Sequence, residues 1–417
     1  MRSATLIKQL SAPLLLLACL STAAYAGAPS HITVGTLYAS SGPFASISMP
    51  VYKGLKLWVK TVNADGGAYV KQFDKKIPIK LVSYDDQSST STAGTLYNQL
   101  ITEDHVDILV SDSGSVLTSV AVPIAQEHKM FLFDQTGTST HFFHHNQYIA
   151  LLDDPMTSLW PKRLTEFLKE DAEKHGIKRI AILYSTNDFT APQAESLRNA
   201  IKDEKGLKVV YYHGVPTKTS SYTVLIHRIK SDNPDAVIEL GYPNNDIDFL
   251  GNLDSSGVHF SFIFTVYPGL ETDLMMKNLG GQVLRGNFTY VPATGLNYHV
   301  NYGMNLKAFT KAYVQQYGKG SNVGFNAVAG YNTGLIIQKA LATAKSLKQP
   351  ALRKAVFAQS GKLDTLDGDF KLNKNGAQIG EIMPIGQLQA RNGSVQLEPV
   401  FPSTVARASV NWHAASH

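Results

Sequence analysis

Two short loops rich in hydroxyl and glycine residues are the strongest candidates for chemistry in this 417-residue chain. The first loop, 111–115 (Ser-Asp-Ser-Gly-Ser), follows the apolar run 106–110, and the second, 134–138 (Asp-Gln-Thr-Gly-Thr), follows the run 130–133. Both come after a predicted strand and before a helical segment. Such loops offer free backbone N–H groups and hydroxyls, which suits them to holding a small anion such as a carboxylate. The alternative is that these residues only cap helices and form turns.

The residues that would mark an enzyme or a metal site do not occur in their usual patterns. The run Gly137-Thr138-Ser139-Thr140 lacks the final glycine of a nucleophile elbow, and Glu127-His128 lacks the first histidine of a zinc-protease helix. Histidines at 141, 144 and 145 flank two phenylalanines without a nearby cysteine or glutamate, so a polar loop edge is favoured over a metal site. The sequence predicts a protein that is not an enzyme and uses no metal and no cofactor.

The first 26 residues differ in composition from the rest of the chain. Arg2 and Lys8 precede an apolar core over residues 13–20, and Ala24-Tyr25-Ala26 fits a small-x-small cleavage site. This pattern predicts a secretory signal peptide over residues 1–26, because the apolar run is too short to span a membrane. The alternative is lipoprotein processing, with a lipid anchor on Cys19.

Export and composition together limit the classes of protein that the chain can belong to. Cys19 is the only cysteine, so ordinary cleavage leaves neither disulfides nor a thiolate nucleophile. The remaining roughly 390 residues must be stabilised by a large core, most economically in two domains. Loss of Arg2 and Lys8 lowers the formal charge from +5 to +3, which gives no support to nucleic-acid binding.

Strand-like and helix-like segments alternate beyond the leader in two runs, about 30–150 and 152–290. The first strand is predicted over 32–37, and the helix after it has apolar residues at offsets 0, 4, 7, 8 and 11 from Val51. Regular alternation of this kind predicts an α/β fold of two doubly wound lobes, each with a parallel sheet covered by helices on both faces. Further helices are predicted at about 303–317 and 325–345, followed by a hairpin that turns at Asn375-Gly376.

Motifs in the same order carry a resemblance to a known family. They are Val34-Gly35, Ser41-Gly42-Pro43, Tyr84-Asp85-Asp86-Gln87-Ser88, the stretch 106–138, Leu240-Gly241-Tyr242, Tyr331-Asn332-Thr333-Gly334-Leu335 and Gly368-Asp369-Phe370. This pattern resembles solute-binding proteins of the branched-chain amino acid (leucine/isoleucine/valine) binding family. The resemblance implies a type I periplasmic-binding fold, in which two lobes joined by three crossovers close over a ligand and deliver it to the membrane permease of an ABC-type importer.

The expected crossovers lie near 151, 290 and 357. We therefore expect residues 28–151 plus 291–357 to form lobe 1 and residues 152–290 plus 358–400 to form lobe 2. The remaining residues, 401–417, are expected to form a C-terminal tail.

The resemblance also implies ligand-binding positions. Six residues match the two loops with which the family holds the ligand's carboxylate: Ser113, Gly114, Ser115, Gln135, Thr136 and Thr138. In the second lobe, Phe189 stands where the family often has a tyrosine, and Tyr242 matches an aromatic position that faces the ligand.

Tyr267 is the main departure from the family pattern. Amino-acid-binding members tend to have an acidic residue at this position, and a neutral tyrosine cannot pair with the ligand's ammonium, which is costly to bury alone. Asp154 is the candidate substitute; otherwise the ligand carries no amine. A branched-chain or other apolar amino acid and an aromatic or other non-amino carboxylate both stay open. Met156 and Trp160, which are more typical of core residues, would add apolar surface nearby.

The favoured hypothesis is a monomeric periplasmic solute-binding protein that captures a small carboxylate by hinge closure and hands it to a permease. One alternative is a sensory receptor for an aromatic or other non-amino carboxylate. Another is an exported enzyme on a similar scaffold. The absence of a fused output domain and of catalytic motifs favours the importer component.

Overall fold

Two sheets of mainly parallel strands organise the computed structural model, which describes residues 27–202, 204–296, 299–321, 323–380 and 383–412. The predicted signal peptide, Cys19 and residues 413–417 lie outside these ranges. Among the described residues, no helix has the length and apolar character needed to cross a bilayer.

The first sheet contains five parallel strands in the order β4-β1-β5-β6-β7. The strands of this half are β1 (Ile32–Tyr38), β2 (Ala68–Val70), β3 (Lys75–Ile77), β4 (Ile79–Asp85), β5 (Ile108–Val110), β6 (Leu132–Asp134) and β7 (Ile149–Leu151). Pro78 separates β3 from β4, because proline has no N–H to donate to a sheet. The part before Pro78, β3, pairs with β2 in a separate hairpin.

The second sheet contains seven strands in the order β16-β15-β12-β11-β10-β8-β9. The strands of this half of the chain are β8 (Arg179–Ser185), β9 (Lys208–Val215), β10 (Ala236–Leu240), β11 (Phe262–Phe264), β12 (Phe288–Tyr290), β13 (Leu363–Thr365), β14 (Gly368–Phe370), β15 (Ile385–Arg391) and β16 (Ser394–Phe401). Strands β8 to β12 are parallel, whereas β15 and β16 add an antiparallel edge. The predicted α/β architecture of two wound lobes is confirmed.

Helices connect the strands, and at least two of them begin at a side-chain cap. They are α1 (Ala45–Ala64), α2 (Thr90–Thr102), α3 (Gly114–Glu127), α4 (Pro161–Phe167), α5 (Thr190–Lys202), α6 (Thr223–Ser231), α7 (Pro243–Ser256), α8 (Tyr267–Leu270), α9 (Thr272–Leu284), α10 (Leu306–Tyr317), α11 (Phe325–Thr343) and α12 (Gln349–Phe357). The Ser89 hydroxyl accepts a hydrogen bond from Thr92 N at the start of α2, and Asn305 Oδ1 accepts one from Ala308 N at the start of α10.

Helix α11 follows the five parallel strands of the second sheet in sequence but packs in the first lobe. It is buried on nearly all sides and lies against α1 so closely that a Cβ atom on Gly330 would be 1.8 Å from the Val51 carbonyl oxygen. The chain therefore crosses between lobes after β7 and again after β12. At the first crossing, Asn332 Nδ2 of α11 donates to Leu152 O at 3.1 Å and to Asp153 Oδ1 at 3.0 Å.

The third crossing lies later than the expected position near 357. The β13–β14 hairpin contributes Leu363 and Phe370 to the apolar core of the first lobe, and Leu151 N donates to Gly376 O at 2.9 Å. Burial of these apolar side chains keeps the chain in the first lobe up to about Gln378, so the crossing falls between Gln378 and β15. The predicted turn is present: Leu372 and Gln378 form an antiparallel bridge around Gly376, which has φ of 93°.

The segment after β16 packs against the second lobe. Arg407 N donates to Pro399 O at 2.8 Å, and the Trp412 ring stacks on Phe167 with an interplanar angle of 3°. The expected tail is therefore attached to the second lobe up to residue 412.

Apolar packing continues from one lobe to the other across the cleft between them. The core of the second lobe includes residues that the first lobe presents to the cleft: Ala39, Phe44, Ile47, Leu117 and Phe325. The lobes are thus in direct contact and leave only a small cavity between their apolar surfaces, while a wider open groove lined by both lobes, for example by Ser88 and Lys218, lies beside it.

Candidate functional site

A small cavity lies where the two lobes meet, at the carboxyl ends of the strands. Its volume is about 20 Å³, room for about one water molecule. The lining residues are Ile47, Ser113, Gly114, Thr136, Thr138, Asp154, Trp160, Phe189, Tyr242, Tyr267, Phe325 and Asn326. Ligands of open α/β sheets bind at this end of the strands, so the cavity is the candidate binding site.

The first lobe contributes a polar wall, defined here as Ser113, Gly114, Thr136 and Thr138. The two loops meet because β5 and β6 are parallel neighbours, with Val110 paired to Phe133. Thr136 Oγ1 accepts a hydrogen bond from Gly114 N at 2.8 Å and lies 3.2 Å from Ser113 Oγ. Gly114 has φ of 78° and opens the 14-residue helix α3, whose amino terminus favours negative charge.

Buried carboxyl groups brace these loops from behind. Asp134 Oδ1 accepts hydrogen bonds from Ser111 Oγ at 2.9 Å and from Gly137 N at 2.8 Å, and burial raises the pKa of Asp134 to about 8. Asp112 Oδ1 accepts from Ser48 Oγ at 2.6 Å, and burial together with the charge of Asp86 raises the pKa of Asp112 well above its ordinary value. The polar wall is therefore preorganised by bonds within its own lobe.

Several hydroxyls at the polar wall are buried without a hydrogen-bond partner among the described residues. They include Ser115 Oγ, on the first turn of α3, and Thr138 Oγ1, which lines the cavity. Leaving a buried hydroxyl unsatisfied costs free energy, and a polar ligand group in the cavity would satisfy one that faces it. Ser139 Oγ is buried and unpartnered in the same way but does not line the cavity.

The second lobe contributes an aromatic wall, defined here as Trp160, Phe189, Tyr242 and Tyr267. The Phe189 ring lies 5.2 Å from Trp160, 5.3 Å from Tyr242 and 6.4 Å from Tyr267 between ring centroids. Trp160 Nε1 donates to Pro155 O at 2.6 Å, so the polar atom of this side chain is satisfied while Trp160 lines the cavity. These side chains offer an aromatic, largely apolar surface opposite the polar wall.

Tyr242 reaches from the second lobe to the start of α3. A Cβ atom on Gly114 would lie 3.1 Å from the Tyr242 hydroxyl oxygen. Burial raises the pKa of Tyr242 above its ordinary value, while the backbone N–H groups of Val116 and Ser115 act to lower it. The phenol is therefore neutral at physiological pH, with its oxygen close to the N–H groups of the helix terminus.

Among the lining residues that the structure describes, Asp154 has the one carboxylate, and its side chain is buried. Burial raises the pKa of Tyr267 well above its ordinary value, with further contributions from nearby Tyr242, Asp246, Glu271 and Asp154. Tyr267 thus has two acidic neighbours that also border the cleft, Asp154 in the lining and Glu271 one helical turn along the chain.

Eight of the ten predicted site residues come together at this cavity. The two that do not line it are Ser115, which lies behind Gly114 on α3, and Gln135, whose Nε2 donates to Ser111 O at 2.6 Å and so braces the loop. Sequence reasoning missed Ile47, Phe325 and Asn326, which come from α1 and α11. Their residue types carry no local sign of binding. Trp160, expected mainly as a core residue, is fully buried and also lines the cavity.

Comparison with known proteins gives one family and many structural relatives. A family model described as periplasmic binding protein matches residues 31–394. The Leu/Ile/Val-binding protein homolog 7 of Brucella melitensis is 22% identical to this chain over 396 residues, which cover 92% of this chain and 95% of the relative.

Two solved structures illustrate the similarity of fold. The branched-chain amino acid transporter substrate binding protein LivJ of Streptococcus pneumoniae, in complex with isoleucine, superposes with a TM-score of 0.73 at 20% identity, covering 89% of this chain and 100% of LivJ. A solute binding protein of an ABC transporter from Rhodopseudomonas palustris BisB5, in complex with 3,4-dihydroxybenzoic acid, superposes with a TM-score of 0.70 at 21% identity, covering 88% and 95%.

Proposed function

The chain belongs to the periplasmic binding protein family, and from that premise we propose that it captures a small carboxylate with an apolar body for an ABC-type importer. The observation that carries this proposal is the contrast between the two walls of one buried cavity. The amino terminus of α3, which favours negative charge, and the hydroxyls of Ser113, Thr136 and Thr138 suit a carboxylate. The aromatic wall opposite suits the apolar remainder of the ligand.

The mechanism that we propose is capture by hinge closure. A cavity of about 20 Å³ has no room for a solute of several non-hydrogen atoms, so the lobes must separate to admit one. The ligand would bind first to the preorganised polar wall, and the aromatic wall would then close over it. Closure excludes water and strengthens the hydrogen bonds to the carboxylate. The closed form would present a defined surface to the membrane permease.

The relatives support a carboxylate ligand more strongly than a particular one. One structural relative is solved with isoleucine and another with 3,4-dihydroxybenzoic acid, and these ligands share a carboxylate but not an amine. In this chain the neutral Tyr267 favours a ligand without an amine, whereas the buried Asp154 would favour an ammonium. The amino group is therefore the feature of the ligand that experiment must decide.

A thermal-shift screen with matched neutral analogues tests the ligand class. We expect stabilisation by at least one of leucine, 4-methyl-2-oxopentanoate, benzoate and 4-hydroxybenzoate, because binding to the folded state alone raises the melting temperature. The matched amides, leucinamide and benzamide, should have no effect, because they lack the anion. Equal stabilisation by an acid and its amide would contradict the proposed carboxylate site.

Hydroxyl deletions test the position of that site. Ser113→Ala and Thr138→Ala should each weaken binding of the hit from the screen by about 3- to 10-fold in calorimetry. Ser139→Ala is the matched control, because this hydroxyl is equally buried and unpartnered but lies outside the cavity. Ser115→Ala tests whether the start of α3 itself contributes, because this hydroxyl is buried next to Gly114 but does not line the cavity. Unchanged affinity in Ser113→Ala and Thr138→Ala together would rule out the proposed carboxylate loops.

Asp154→Asn distinguishes the two ligand types. If the ligand is an amino acid, loss of this charge should abolish the thermal shift, whereas Tyr267→Phe should preserve it. If the ligand lacks an amine, Asp154→Asn should keep or improve binding, because a buried carboxylate near an anionic ligand is unfavourable.

Further parts of the proposal concern location, assembly and chemistry. We propose that the protein is a periplasmic monomer released by cleavage after Ala26, that it releases its ligand chemically unchanged, and that it binds no nucleic acid. Amino-terminal sequencing of the exported protein should begin at Gly27, light scattering should give the mass of one chain, and mass spectrometry should recover the ligand intact. Loss of ligand uptake in a deletion strain would establish transport.

A further inference from the structure

A buried carboxylate joins the two lobes just outside the cavity. Glu271 follows α8 in the second lobe, and its side chain is fully buried. Its Oε1 atom accepts hydrogen bonds from Asn326 N at 3.2 Å and from Asn326 Nδ2 at 2.5 Å. Asn326 belongs to the first turn of α11, which packs in the first lobe. The bond therefore exists only while the lobes are together.

The first turn of α11 is suited to receive this carboxylate. Its N-cap residue, Gly324, has no side chain with which to cap the 19-residue helix, and the first N–H groups of a helix lack partners within it. The carboxylate of Glu271 supplies both an acceptor and a negative charge at this terminus. A Cβ atom on Gly324 would lie 2.4 Å from Glu271 Oε2, so glycine at this position is what permits the approach.

This contact is directly connected to the ligand cavity on both sides. Glu271 N donates to Tyr267 O at 2.8 Å, which links it to the aromatic wall. Phe325 and Asn326, on the facing lobe, are themselves lining residues. A ligand that positions Tyr267 or Asn326 thereby also positions the two halves of the contact.

We propose that Glu271, Gly324 and Asn326 form an interlobe latch that sets the stability of the closed state. Glu271 is a positioning residue: it stabilises closure without touching the ligand, and so it sets the residence time of whatever the cavity holds. The inference rests on the proposed function, because it assumes that the lobes open and close around a ligand. When the lobes separate, Glu271 loses Asn326 and becomes hydrated, which lowers the cost of opening and keeps release possible.

Two variants test the latch from opposite lobes. Glu271→Gln keeps the shape of the side chain but removes its charge, and Gly324→Ala displaces the carboxylate while the φ of −77° at this position remains suitable for alanine. Each should raise the ligand's dissociation rate constant by about 10-fold with little change in the association rate constant, because closure follows the encounter. In a Glu271→Ala background, Gly324→Ala should have no further effect, because no carboxylate remains to clash.

Interlobe distance in the ligand-free protein provides a readout that needs no ligand. Spin labels on cysteines introduced at the exposed positions Thr95 and Val224 would report the separation of the lobes. We expect Glu271→Gln and Gly324→Ala to shift the distance distribution to longer values. Asn305→Ala is the control: it removes a helix cap within the first lobe and should lower the melting temperature without changing the interlobe distance.

Failure of the latch and failure of the proposed function are distinguishable. If no solute stabilises the wild-type protein, the proposed function fails while the distance measurement still tests the latch. If a ligand binds and both variants keep the wild-type dissociation rate constant and distance distribution, the latch is overturned and the binding function stands.

Discussion

The two walls of the cavity differ in the types of residue that form them and in the interactions that hold those residues in place. The polar wall consists of small residues fixed by hydrogen bonds within the first lobe, such as the bond from Gly114 N to Thr136 Oγ1. The aromatic wall consists of large rings that pack on one another and belong to the core of the second lobe. We therefore expect changes in the aromatic wall to affect stability and binding together, and changes in the polar wall to affect binding more than stability.

The largest effect is expected from the aromatic wall. Phe189→Ala removes a buried ring that contacts Trp160, Tyr242 and Tyr267, and should lower the free energy of unfolding by about 3–5 kcal/mol. Urea unfolding measures this loss, and ligand affinity should fall with it. Val224→Ala, at a side chain that is 80% exposed, should change stability by less than about 0.5 kcal/mol. A loss below about 1 kcal/mol in Phe189→Ala would show that the aromatic wall is not part of the core.

Gly114→Ala should have the largest effect on binding alone. The φ of 78° is strained for alanine, and its Cβ would lie 3.1 Å from both Ile47 Cδ1 and the Tyr242 hydroxyl, so we expect affinity to fall about 100-fold. Gly280 is a matched control, because it has the same φ of 78° with no atom within 4 Å of the added Cβ. The ψ of 163° at Gly280 also lies in a region almost exclusive to glycine, so Gly280→Ala should strain the backbone and yet leave affinity unchanged. Equal affinity losses in both variants would indicate a general effect of strain rather than crowding at the cavity.

The carboxyl behind the polar wall should make stability depend on pH. Burial raises the pKa of Asp134 from 3.8 to about 8, so the folded protein holds this proton where the unfolded chain has lost it. Its contribution is full below pH 4 and is lost as pH rises through 8; between pH 6.5 and 8 the loss should be about 1–2 kcal/mol. Asp134→Asn should remove this part of the decline in urea unfolding.

Asp65→Asn, at the exposed end of α1, should leave that pH profile unchanged. An Asp134→Asn variant with the same decline as the wild type would mean that Asp134 is ionised throughout this range.

The smallest expected effect is loss of one hydrogen bond within the polar wall. Thr136→Val keeps the shape of the side chain but removes the acceptor for Gly114 N, and should weaken ligand binding about 3- to 10-fold and lower stability by about 1–2 kcal/mol, less than Phe189→Ala. Calorimetry measures the affinity. Thr165→Val, which removes a buried hydroxyl bonded to Pro161 O in α4, should leave affinity unchanged. If Thr136→Val lowered stability as much as Phe189→Ala, the distinction between the walls would be wrong.

The polar wall was the part of the site most accessible from sequence. Its loops follow short apolar strands, and parallel neighbouring strands place their carboxyl ends together whatever the rest of the chain does. Phe189, Tyr242 and Tyr267 needed the family resemblance as well, because an aromatic residue after a strand is as common in cores as in binding sites.

The contribution of α11 was not predictable from local pattern. Helix α11 is buried on nearly all sides, so no stripe of its surface marks which residues face the cavity. Phe325 and Asn326 reach the cavity because α11 returns to the first lobe and points its amino terminus at the cleft. The sequence around Glu271 does not indicate its contact with α11 either, because a single glutamate beside a helix start has many ordinary roles. The third crossing was misplaced because the hairpin's few apolar residues do not reveal which core buries them.

Residues close together in the chain account for the alternation of strands and helices, for the two loops that form the polar wall and for the class of fold. Long-range packing places α11 and the β13–β14 hairpin in the first lobe, turns the aromatic rings toward the polar wall and brings Glu271 to α11. These depend on contacts between residues tens to hundreds of positions apart. Such contacts form only when two folded surfaces match in shape and charge, and no local pattern contains that information.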